Sequence, residues 1–122
     1  MEEWFGRSVN TAASGTVSTA MGGLTTASGN YSTSMGANTV ASGHFSTAMG
    51  HQTQAIGDAS TSMGTSTLAS GTHSTAMGFD TNASGSSSTA MGSNTQASGM
   101  WSIAAGANST AIGTVSLSFG YE

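Results

Sequence analysis

The sequence predicts an all-β fold, a parallel β-solenoid wound in 14-residue coils with two short strands per coil, on three observations. First, the phrase Ser18-Thr19-Ala20-Met21-Gly22 returns as Ser46-Thr47-Ala48-Met49-Gly50, Ser74-Thr75-Ala76-Met77-Gly78 and Ser88-Thr89-Ala90-Met91-Gly92. Close variants begin at Ser32, Ser60, Ser102 and Ser116, so the spacing is 14 residues throughout. A strict short period is the mark of stacked repeats. Second, whole columns are constant: Ala at 13 and every fourteenth position to 111, Gly at 15 to 113 and again at 22 to 120. Third, each repeat contains a half-repeat of seven, since Ser18-x-Ala20-x-Gly22 is echoed by Thr25-x-Ala27-x-Gly29. Each half alternates with period two, as a strand does, and ends in a turn of two variable residues.

The composition narrows the alternatives. Only 5% of the 122 residues are charged and the net charge is −4, so no basic patch is present to neutralise nucleic-acid phosphates. The 36% hydrophobic content is mostly Ala and Met, which rules out an ordinary core of large side chains. Disordered chains share that low hydrophobicity, but they are usually charged and Pro-rich. This chain has no Pro and keeps its period, so it reads as ordered. Cys is absent, which removes disulfides and thiolate metal sites. No apolar run approaches a membrane span, and direct membrane insertion is not expected.

Residues 1–12 stand outside the register and read as an N-terminal cap or leader, with Trp4 and Phe5 as the plug of an open solenoid end. Residues 13–122 read as the roll itself, in eight repeats. Gly22 and Gly29 and their columns mark the reversals, where positive φ is easy only without a Cβ. Successive coils stack about 4.8 Å apart, which gives a rod on the order of 40 Å long.

The half-repeat identifies the interior. Ser18, Ala20, Thr25 and Ala27 and their column mates are common to both halves, so they face inward, and their small size lets the two sheets approach closely. The outer set of the second strand varies freely, as in Leu24, Asn38 and Gln52, and reads as solvated. The outer set of the first strand does not vary. It carries Thr19, Thr33, Thr47, Thr61, Thr75 and Thr89 beside Met21, Met35, Met49, Met63, Met77 and Met91. A face open to water has no reason to repeat Met, so this stripe is expected to meet another molecule. Burying each Met is worth roughly 1.5–3 kcal/mol, and a monomer without that contribution is expected to be marginal. The last two repeats turn apolar through Met100, Trp101, Ile103, Val115, Leu117, Phe119 and Tyr121, as a cap or a joint to a following element.

Catalytic chemistry finds no foothold. Ser is abundant at regular, structural positions, and no Ser-His-Asp grouping acquires a pocket, so an enzyme is not expected and neither is a cofactor. His44 and Asp58 share a column one coil apart and read as a surface pair; a metal site would need more ligands. The distinctive exposed side chains are aromatic. Tyr31, Phe45, His73 and Trp101 share the first-turn column, and the second turn offers His51, Phe79 and Tyr121. Tyr31, Phe45, His73, Phe79 and Trp101 are the candidate ligand contacts, weighed against simple packing on neighbouring turns.

The pattern Ser-x-Ala-x-Gly-x-x-Thr-x-Ala-x-Gly, as in Ser18 through Gly29, resembles the YadA-like head repeat of trimeric autotransporter adhesins, which is similar to repeats of some fibre-like secreted and phage-type proteins. The resemblance covers residues 13–120 and implies a left-handed parallel β-roll assembled as a homotrimer. The Thr and Met columns would then form the trimer interface. The family usually carries Val or Ile where this chain has Thr19 and Met21, and the 122 residues hold no neck, stalk or anchor. The resemblance further implies an extracellular or cell-surface role within a longer chain or fibre, with a host-surface, matrix or carbohydrate partner. Two other readings compete: an ice-binding solenoid using Thr ladders, and a self-assembling filament subunit.

Overall fold

A computed structural model describes residues 10–121 of the chain. The expected cap at Trp4 and Phe5 lies outside the described residues. Two parallel eight-stranded sheets run side by side and no helix is present among the described residues. One sheet takes the long strands, Thr19–Gly23, Thr33–Ala37, Thr47–His51 and their successors, in chain order. The other takes the short strands, from Ala12–Ala13 and Thr26–Ala27 through Thr110–Ala111. Pairing is in register at 14 residues everywhere, for example Met21↔Met35 and Ala27↔Ala41. Ala12 already pairs with Thr26, so the ladder has begun at that point.

The interior is as the columns predict. Ala20, Ala27, Ala48 and Ala55 are fully buried, as are Ser18, Thr25, Ser46 and Thr53. Every buried apolar residue described is an Ala. Side-chain burial therefore contributes little per residue, at about 25 cal/mol per Å² of small apolar surface. Order rests instead on the continuous backbone ladder and on close stacking of coils.

Two expectations about the coil are corrected. The halves are not equivalent strands: the first runs five residues and passes through Gly22, whereas the second is only two residues long. Nor do the glycine columns share a backbone conformation, although both stack too closely on the next coil to admit a Cβ. Gly22, Gly36, Gly50, Gly64, Gly78 and Gly92 do have φ near +120°, a conformation closed to L side chains. The Gly29 column has no positive φ. It is Gly because a Cβ on Gly29 would lie 2.0 Å from the Gly43 carbonyl oxygen of the next coil. The reversals are made by other residues. Val17, Tyr31, Phe45, Ala59, His73, Ser87, Trp101 and Val115 are left-handed at one corner, with φ between 53° and 60°. Leu24, Asn38, Gln52, Ser66, Asp80, Asn94 and Asn108 are left-handed at the other. From Tyr31 onward each such corner is held to the preceding coil, as where the Tyr31 N–H donates to the Thr16 carbonyl at 2.7 Å and Asn38 N–H to that of Gly23 at 2.8 Å. That bond offsets the steric cost of αL for an ordinary residue.

Candidate interfaces on the roll

Three surfaces stand out on the roll, two of which carry the side chains singled out in the sequence. The first is the outer face of the long-strand sheet. Met21, Met35, Met49, Met63, Met77 and Met91 form one unbroken in-register column, and Thr19, Thr33, Thr47, Thr61, Thr75 and Thr89 another. All twelve are half-buried within the single chain. The cause is stacking: each side chain is flanked above and below by its own column mates about 4.8 Å away. Stacking has already taken part of the Met surface from water, so association would add less than the full-burial value. The face continues as Ile103 and Ala105, then Leu117 and Phe119, of which Ile103, Leu117 and Phe119 are exposed.

The second surface is the corner column of aromatics. Tyr31 and Phe45 stack in parallel, with ring centroids 5.2 Å apart and planes inclined by 3°. Parallel stacking at that separation is a favourable contact, and it fixes two rings whose αL backbone already restricts them. His73 and Trp101 stand farther along the same column, separated by Ala59 and Ser87, so the structure does not bring all four together. Phe79 is elsewhere: it ends the long strand Thr75–Phe79 instead of standing in a turn, and it is exposed. His51 likewise ends the strand Thr47–His51.

Beside that column, His44 and Asp58 meet as expected. The His44 N–H donates to Asp58 Oδ1 at 2.9 Å, and His44 Nδ1 lies 3.2 Å from the same oxygen. The backbone N–H of His44, then its ring, hold the Asp58 carboxyl below its ordinary value of 3.8. Both side chains are more than half exposed, so the pair is a solvated surface contact. Among the described residues no three His, Cys, Asp or Glu side chains gather as a metal site would require.

The third surface was not singled out by sequence reading. On the short-strand side, a cleft of about 280 Å³ is lined by Asp80, Asn94 and Asn108 from one corner column and Asn82, Gln96 and Thr110 from the adjoining strand column. The Asn94 amide donates to Asn108 Oδ1 at 2.6 Å. Asn82 Oδ1 is buried and has no hydrogen-bond partner within the chain. The available signal was the run of Asp, Asn and Gln in two columns over consecutive repeats, a weak one because earlier repeats carry Asn38, Gln52 and Gln54 there beside Leu24, Val40 and Leu68.

The polar interior has its own pattern. Where the inner long-strand position is Ser, it reaches across the roll: Ser34 Oγ and Thr39 Oγ1 are 2.7 Å apart, and Ser62 Oγ and Thr67 Oγ1 are 2.6 Å apart. Where that position is Ala, as at 20, 48, 76 and 90, the facing hydroxyls of Thr25, Thr53, Thr81 and Thr95 have no partner.

A regular parallel solenoid with an Ala, Ser, Thr and Gly interior, one constant outer face and variable corners defines a β-solenoid repeat protein. The chain belongs to the family described as the YadA head domain repeat, whose model matches residues 13–39, 41–67, 55–81, 69–95 and 83–116. That family is an adhesin-type structural family and not an enzyme family. A search of curated proteins finds no match.

Proposed function

We propose that this chain is the head of a homotrimeric surface fibre, in which the roll presents its corners and short-strand face to an attachment partner. The carrying observation is the double column of Thr and Met, in register over six coils and only half covered by its own chain. A continuous apolar stripe of that length on a rod without large core residues is an association surface. Membership of an adhesin-type family supports three chains packed side by side along it. Occupation of this face leaves the stacked Tyr31 and Phe45, the exposed His73, Phe79 and Trp101, and the short-strand face for an extracellular partner on a host surface or matrix.

The experiment is a solution mass measurement of the unmodified chain and of the Met49→Glu, Met63→Glu double variant. The unmodified chain is expected at three times the monomer mass of 11.9 kDa. The double variant is expected as a monomer, because two unpaired carboxylates per chain in an apolar seam cost on the order of several kcal/mol each. A trimer that persists through both substitutions places the interface on another face.

A further inference from the structure

We propose that the corner at Ala59 is a notch for an arginine side chain of a partner protein, stacked on Phe45 and paired with Asp58. This deepens the attachment reading by naming the partner's chemistry, and it rests on that reading for the corner's being open in the assembly. The order of the corner column is the first reason. It runs Tyr31, Phe45, Ala59, His73, Ser87, Trp101, so rings fill two adjacent coils and then skip one. Tyr31 and Phe45 stack at 5.2 Å with planes 3° apart, so the face of Phe45 turned away from Tyr31 looks onto the coil of Ala59. Ala59 is half-buried where Phe45, at 63%, and His73 are exposed, so its methyl floors a gap in the ring column. The ring-bearing positions on either side are two coils apart, about 9.6 Å along the axis. A planar group seated at mid-height lies about 4.8 Å from each, inside the roughly 6 Å reach of a cation–π contact.

The carboxylate beside the gap is the second reason. Asp58 directly precedes Ala59, and its Oδ1 accepts the His44 N–H at 2.9 Å, which turns the carboxyl towards the coil of Phe45. His44 Nδ1 lies 3.2 Å from the same oxygen, and Oδ2 takes no hydrogen bond among the described residues. An arginine guanidinium is planar, stacks on rings and forks onto a carboxylate, whereas a lysine ammonium lacks both the plane and the fork. Asp58 and Asp80 are the only carboxylate side chains in residues 10–121, which hold no Lys or Arg to compete for the notch. Backbone bonds fix its walls: the Ala59 N–H donates to the His44 carbonyl at 2.7 Å and the His73 N–H to that of Asp58 at 2.8 Å. The second gap, at Ser87 between His73 and Trp101, follows Ser86 and has no carboxylate beside it.

The test is an NMR titration of the full chain with capped tripeptides whose central residue is arginine, lysine, citrulline or tyrosine. We expect the arginine peptide to bind with shifts centred on Phe45, Ala59 and His73, at least about threefold more tightly than the other three. Asp58→Asn should weaken it by about threefold or more. Ala59→Phe should abolish binding by continuing the ring column through the gap, at a position whose column mates Tyr31, Phe45 and Trp101 already hold rings at positive φ. Ser87→Phe, which fills the gap without a carboxylate, should be silent. Arginine binding that survives Ala59→Phe or Asp58→Asn, or equal or tighter binding of another peptide, would overturn the proposal. So would the absence of shifts in both the unmodified chain and the Met49→Glu, Met63→Glu chain. Should Ala59→Phe fail to fold, Ala59→Tyr takes its place and is read in the same way. Binding by the Met49→Glu, Met63→Glu chain alone would support the notch and fault the reading of an open corner, so the two failures are told apart.

Discussion

The long-strand sheet repeats Thr and Met six times on its outer face, whereas the short-strand sheet carries Thr26, Val40, Gln54, Leu68, Asn82, Gln96 and Thr110 in its outer column. Both sheets line the same interior and obey the same 14-residue register, so the difference is not a demand of the fold. The fold tolerates almost any side chain on the outside of a two-residue strand. On the assembly proposed above, constancy on the five-residue strands reflects a second packing partner, and variability on the short ones leaves a face that can change without cost to the roll.

The largest effect that tests this comparison comes from the stacking that both sheets share. Gly64→Ala combines φ of +119° with a Cβ 2.1 Å from the Gly78 carbonyl oxygen, and Gly71→Ala puts a Cβ 2.1 Å from that of Gly85. Each is expected to destabilise by more than about 3 kcal/mol in a denaturant melt. Gly23→Ala, with open space around it and Ala37 in the same column, should stay within about 0.5 kcal/mol. Equal losses at Gly23 and Gly64 would mean that coil stacking does not limit stability.

Next comes the contrast between faces. Met49→Glu with Met63→Glu should dissociate the assembly, while Gln54→Glu on the short-strand face should leave its mass and melting temperature unchanged. If the Gln54 variant dissociates it instead, the roles of the two sheets are exchanged.

A smaller effect tests the interior between the sheets. Ala48→Ser should give the unpartnered Thr53 hydroxyl the bond that Ser34 gives Thr39 and Ser62 gives Thr67, raising stability by about 1 kcal/mol. A lower melting point for Ala48→Ser would show that the Ala column is required for close approach and not merely tolerated.

The smallest effect lies at the corner. The folded-state value of Asp58 is depressed, so its contribution is present above the ordinary 3.8 and is lost as the pH falls through the depressed value. The difference in melting temperature between the unmodified chain and Asp58→Ala should be small at about pH 6 and shrink further as the pH falls below the ordinary carboxylate value of 3.8. A difference that grows on acidification would contradict the bond from the His44 N–H.

Much of the molecule was legible in the residues because a repeat reads itself. Eight copies of each position separate the inward columns, Ser18, Ala20, Thr25 and Ala27, from the outward ones without any homologue. The unequal strand lengths were not legible, because the half-repeat hides them: Gly22 and Gly29 are the same letter, and both exclude a Cβ, but only Gly22 has a positive φ. The cleft escaped notice because its columns vary over the whole chain, and polar pairs such as Gln52 with Gln54 occur in them outside the cleft as well.

By itself the sequence determined the period, the in-register parallel stacking and the small interior, since each follows from residue type repeated at a fixed interval. The tertiary structure alone decided which residues reverse the chain, why the Gly29 column excludes a Cβ, and which side chains from separate coils meet. Those facts depend on distances between residues 14 apart, as between Gly29 and Gly43 or Asn94 and Asn108, and no local propensity encodes them.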